Sequence, residues 1–153
     1  MPDDQKAKEF IEDYNRKSES EVASITQLES GSVVVAVVDE FSKRVHKTIV
    51  QSGQICFVDG TSSLDRMNHQ LIKLMTESPS GGLPLGFLIL SDQKQETLKA
   101  GFAELKQLLP EKAFAGRGVE TGPELFMTDD VVVFIRFFAN DFSDVTLVCG
   151  DSQ

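Results

Sequence analysis

Ile55-Cys56-Phe57-Val58-Asp59-Gly60-Thr61 is an apolar run that ends in a carboxylate, and its reading decides the fold. Two readings compete at its end. Asp-Gly between apolar segments is a strong hairpin-turn signal. Alternatively, the run is a buried strand that delivers Asp59 to a sheet edge. Leu125-Phe126-Met127-Thr128-Asp129-Asp130 repeats the design 70 residues on, so two strands are expected to bring Asp59 and Asp129 to the same edge, with Asp130 beside them. Paired carboxylates at neighbouring strand ends suit Mg²⁺ or Mn²⁺, hard cations that take oxygen ligands.

Outward from that stretch, the chain reads as one α/β domain. Val33-Val34-Val35-Ala36-Val37-Val38 is a β-branched strand, and Asp39 caps a helix with Phe41, Val45 and Ile49 inward and Lys43, Arg44 and Lys47 outward. His46, among those bases, is expected at the surface. The segment 54–58, the segment 69–76 and the segment 83–90 form a three-stranded antiparallel meander, with Ser78-Pro79-Ser80-Gly81-Gly82 as a turn and His69 as a structural histidine. Asp92 and Gln95 predict a capping box for a helix that buries Leu98, Phe102, Leu105, Leu108 and Leu109 and stops at Pro110.

Ala115 to Pro123 is glycine-rich, but it lacks the Lys-Ser/Thr of a phosphate loop and leads into a strand, so it predicts a flexible connection with Arg117 available to a phosphate. The helix before it makes Leu125–Thr128 a crossover strand, parallel to the one carrying Asp59. Residues 131–139 read equally as helix or strand, and a short strand, Val145 to Cys149, closes the chain. Residues 1–32 form a separate polar lead-in of two short helices, the second on Val22, Ile25 and Leu28, before the main domain at 33–153.

The net charge of −9 counts against unaided nucleic-acid binding, which draws its affinity from Lys and Arg on phosphates. No apolar run is long enough for a membrane span and no signal peptide is legible, so an intracellular protein is expected. Cys56 and Cys149 lie in apolar runs and read as free, buried thiols.

With its acids placed, the sequence resembles the catalytic core of Mutator-like element (MULE) transposases, a DDE-type, ribonuclease H-like family. The likeness rests on Lys43-Arg44-Val45-His46, Val58-Asp59-Gly60-Thr61, Ser80-Gly81-Gly82-Leu83-Pro84-Leu85-Gly86, Gln95-Glu96-Thr97 and Phe126-Met127-Thr128-Asp129-Asp130. The resemblance implies a ribonuclease H-like mixed sheet with flanking helices. It also implies a two-metal Mg²⁺ (or Mn²⁺) site for DNA cleavage and strand transfer, with Asp59 and Asp129 as catalytic ligands and Asp130 as a weaker one. It further implies a nuclear protein whose other domains or subunits bring basic and zinc-binding contacts to DNA.

The family's third acid, a downstream glutamate, has no counterpart in the 24 residues after Asp129. Asp144 and Asp151 are poor substitutes, one a turn residue and the other near the terminus. The expectation is therefore a core truncated at the C-terminus, a fragment or degenerate copy with an incomplete site and no activity alone. The alternative is a non-catalytic interaction or scaffold domain of a domesticated protein, and a doubly wound nucleotide-binding domain is a distant third.

Overall fold

The computed structural model describes residues 2–18, 20–61, 69–128, 139 and 142–149. The β-branched run forms β2 (Val33–Val37), on which alternate residues, Val34 and Ala36, are fully buried. Its outer neighbour is a strand that the sequence reading missed. β1 (Ala23–Gln27) pairs antiparallel with β2 from Ala23↔Val37 to Gln27↔Val33. The expected second helix of the lead-in is thus an edge strand. Apolar residues three apart do not distinguish the two states, and a tight turn closed by Gly31 N–H to Leu28 O (2.9 Å) folds 23–27 back onto β2.

The first helix forms as α1 (Pro2–Lys17) and is tied down near its C-terminus. Asn15 Oδ1 accepts from Val22 N and Ala23 N at 2.8 and 2.9 Å, while its Nδ2 donates to Ala23 O at 2.8 Å. The sheet therefore begins ahead of residue 33.

α2 (Glu40–Thr48) starts as the sequence predicts, with the Asp39 carboxylate accepting from Ser42 N at 2.7 Å. Its buried face is rotated from the expected one. Ser42, Lys43, Val45 and His46 are buried, and Phe41 is 46% exposed. The helix lies between a strand and a loop that follow later in the chain, and His46 is hydrogen-bonded to both, through Leu85 and Phe114. Lys43 Nζ reaches Ser20 Oγ (2.6 Å) and the Glu21 carbonyl, which satisfies the buried ammonium.

β3 (Ile55–Thr61), β4 (Gln70–Ser78) and β5 (Gly81–Leu90) form the expected antiparallel meander. Asp59-Gly60 is no two-residue turn: the strand runs through it, with Asp59 opposite Lys73 and Gly60 opposite Ile72. α3 (Gln95–Leu108) then crosses over, burying Leu98, Phe102, Leu105 and Leu108. Its predicted capping box does not form. Lys94 holds the cap position, and Asp92 instead takes the Lys94 N–H (2.9 Å) and the Ser32 hydroxyl (2.5 Å), linking the turn before β2 to the end of β5.

β6 (Leu125–Thr128) runs parallel to β3, and β7 (Thr146–Cys149) runs parallel to β6. The sheet is mixed and seven-stranded in the order β1-β2-β5-β4-β3-β6-β7, so β4 is its central strand. One face, with Val34, Ala36, Cys56, Val58, Ile72, Leu74, Leu88, Leu90 and Phe126, joins α2, α3 and Phe114 in a single core. The opposite face carries Val35, Val37, Phe57, Asp59, Leu71, Lys73, Met75, Phe87, Ile89 and Met127, all half-buried or exposed.

Candidate functional site

Asp59 lies near the end of β3 and, by the alternation of the strand, on the face opposite α2 and α3. It is exposed, and no ion pair or hydrogen bond engages its carboxylate among the described residues. A cleft of about 580 Å³ opens beside it, with Phe57, Met75, Glu77, Gly82 and Met127 in its walls. The parallel β3–β6 ladder runs from Ile55↔Leu125 to Val58↔Thr128, so its last pair immediately precedes Asp59 on one strand and Asp129 on the other. Asp129 and Asp130, like Asp151 and the segment 131–138, lie outside the described residues.

An exposed, unpaired carboxylate beside a cleft has the donor chemistry that Mg²⁺ or Mn²⁺ requires, since hard cations take oxygen ligands. Among the described residues no three His, Cys, Asp or Glu side chains converge on one point. Glu77 lines the same cleft but sits two pleats along β4 from Lys73, the cross-strand neighbour of Asp59. Among the described residues the acids that line the cleft are therefore Asp59 and Glu77, set apart along the sheet.

His46 is not the surface residue the sequence predicts. It is fully buried, its Nε2–H donates to Leu85 O at 2.9 Å, and its Nδ1 accepts from Phe114 N at 3.2 Å. Both ring nitrogens are used, which fixes the neutral tautomer. Burial pushes its pKa down to about 4, and the bond to the Leu85 carbonyl only partly opposes that. It joins α2, β5 and the loop after α3, so its role is structural. His69 is half-buried just before β4. Cys56 is a buried free thiol, driven far up in pKa by desolvation and unsuited to chemistry.

Arg117 also departs from expectation. Its Nε–H donates to Gly122 O at 2.6 Å, and Nη2 donates to Asp144 O at 2.9 Å and to the Asp144 carboxylate at 3.2 Å. The glycine-rich connection is thus a bolted loop, and both Arg117 and Asp144 are committed to holding it. Arg117→Ala is expected to lower unfolding free energy by roughly 1–2 kcal/mol in urea titration, with affinity for inorganic phosphate unchanged; a phosphate-binding role would lower that affinity and leave stability level.

Lys73 stands directly across from Asp59, a placement that the sequence does not announce. Its signal was a single charge within the alternating apolar set Leu71, Met75 on β4. No helix among the described residues is long and apolar enough to cross a membrane. No family model, curated protein or solved structure matches this chain.

Proposed function

We propose that this chain is a ribonuclease H-like core derived from a Mutator-like element transposase, a fragment or degenerate copy in which Asp59 and Asp129, with Asp130 beside them, bind Mg²⁺ or Mn²⁺. The observation that carries this reading is the parallel β3–β6 register, whose last pair, Val58↔Thr128, directly precedes the two acids. The antiparallel β3–β5 meander followed by the α3 crossover into parallel strands agrees with it. The substrate class is the nucleic-acid phosphodiester, and the reading implies work in the nucleus alongside domains that add basic and zinc-binding contacts.

Divalent ions bound there would activate the attacking oxygen and stabilise the leaving one. The chain's own part is to hold carboxylates at adjacent strand ends. The ladder fixes the spacing of Val58 and Thr128, the residues that precede the two acids, and among the described residues no ion pair engages the Asp59 carboxylate.

A second reading, a non-catalytic interaction domain of the same architecture, draws support from the net charge of −9, which opposes nucleic-acid binding. Mn²⁺ titration followed by electron paramagnetic resonance separates the two. Wild type is expected to bind, and Asp59→Asn and Asp129→Asn are each expected to weaken binding at least about tenfold. Equal affinity in all three proteins would sink the paired site and leave the interaction domain.

A further inference from the structure

The geometry points to Lys73 as the residue that holds a substrate phosphate beside Asp59. The inference rests on the phosphodiester reading above and extends it to a residue on another strand. Lys73 is the registered partner of Asp59 across the β3–β4 ladder, and both are exposed on the same sheet face. Directly opposed residues stand about 5 Å apart at Cβ, close enough for an ion pair. None forms: among the described residues neither side chain has an ion-pair or hydrogen-bond partner. A cation and a carboxylate therefore lie side by side, each with its polar atoms available to a third group.

A bland account of Lys73 fails on topology. Lysines often sit on sheet edges to block unwanted strand pairing, but β4 is the central strand of seven. Around Lys73 the face is apolar, with Leu71 and Met75 along its own strand and Pro84 and Phe87 on β5 lining the hollow that it borders. Lys73 lines that hollow and is exposed, a setting in which a lysine stem covers apolar surface while its ammonium stays in water.

A phosphodiester is the ligand that uses both groups at once. One non-bridging oxygen would meet the cation carried by Asp59, and another would meet the Lys73 ammonium. On a chain of net charge −9, a local positive charge at that point offsets the repulsion a phosphate would otherwise meet. A lysine serves here as a compact point charge.

The test uses the full chain and a fluorescein-labelled single-stranded DNA oligonucleotide, read by anisotropy in Mn²⁺ and in EDTA across a salt series. Lys73→Gln is expected to weaken binding at least about fivefold and to lower the salt slope by about one, while Lys73→Arg stays within about twofold of wild type. Mn²⁺ affinity of Lys73→Gln without DNA is expected to stay level or rise, since a neighbouring cation is removed. Lys73 is exposed, so both variants are expected to keep the wild-type far-UV circular dichroism. Wild-type affinity and slope in Lys73→Gln would overturn the assignment, and so would an oligonucleotide that wild type does not bind. If Asp59→Asn leaves Mn²⁺ binding intact while Lys73→Gln still weakens DNA binding in EDTA, the phosphate contact stands and the metal reading of Asp59 falls.

Discussion

Acidification from about pH 7 to about pH 4.5 is expected to remove roughly 2–3 kcal/mol of folding stability through His46 alone. The imidazole is enclosed by α2, β5 and the loop after α3, and Phe114 meets it edge-on at a centroid distance of 4.9 Å. Protonation would place a charge in that apolar site and turn Nδ1 from acceptor into donor, facing the Phe114 N–H. The folded pKa of about 4 lies below the ordinary value of 6.5, so the neutral ring is favoured in the fold. The contribution is complete above about 6.5 and is lost as pH falls from there toward about 4. Urea midpoints of wild type should drop steeply across that window. His46→Gln should start less stable, by about 1–3 kcal/mol for imperfectly met backbone groups, and show a flatter pH dependence. Parallel curves for the two proteins would refute the assignment.

The same histidine shows where the sequence was legible and where it was not. Strand positions were readable because burial on β2, β4 and β5 follows the period of the pleat, and the apolar runs announce it. The α3 crossover was readable from its apolar stripe and Pro110. What escaped reading depends on contacts far apart in sequence. His46 is buried because Leu85 and Phe114, 39 and 68 residues away, supply an acceptor and a donor. Phe114 and Ala115 both adopt φ of +57°, a conformation that neither residue type announces, and the Ala115 N–H to His46 O bond (2.7 Å) helps to hold it.

Asp59 shows the converse. Its local Asp-Gly pattern favoured a turn, and the strand pairing to β4 overrode it, as tertiary context overrides local propensity. The carboxylate was legible as a residue at a strand end, but its relation to Lys73 was not. That relation is a matter of register between β3 and β4, which sets Asp59 opposite Lys73 and which no local pattern encodes.

Gly122→Ala is expected to cost about 3 kcal/mol, of which about 1–2 is backbone strain and the remainder overpacking. Gly122 holds φ at +78°, and a Cβ there would stand 2.7 Å from Phe142 Cγ and 2.8 Å from Val145 Cγ2. Those atoms have little room to yield. The Phe142 ring lies 5.6 Å from that of Phe114 and 5.5 Å from that of Phe126, with Lys106 Nζ at 4.7 Å from its centroid. Gly122 also supplies the carbonyl that Arg117 Nε–H takes, so displacing it loosens the bolt on the loop. Gly116→Ala isolates the strain, because Gly116 has φ of +90° with nothing within 4 Å of the added carbon; it should cost only about 1 kcal/mol. Phe142→Leu combined with Gly122→Ala should recover at least about 1 kcal/mol relative to the sum of the single losses, since the smaller side chain makes room. A Gly122→Ala protein as stable as Gly116→Ala would show that the neighbourhood of Phe142 yields freely. The ring would then not be what fixes the loop between α3 and β6, nor the entry of β6 alongside β3 on which the proposed site depends.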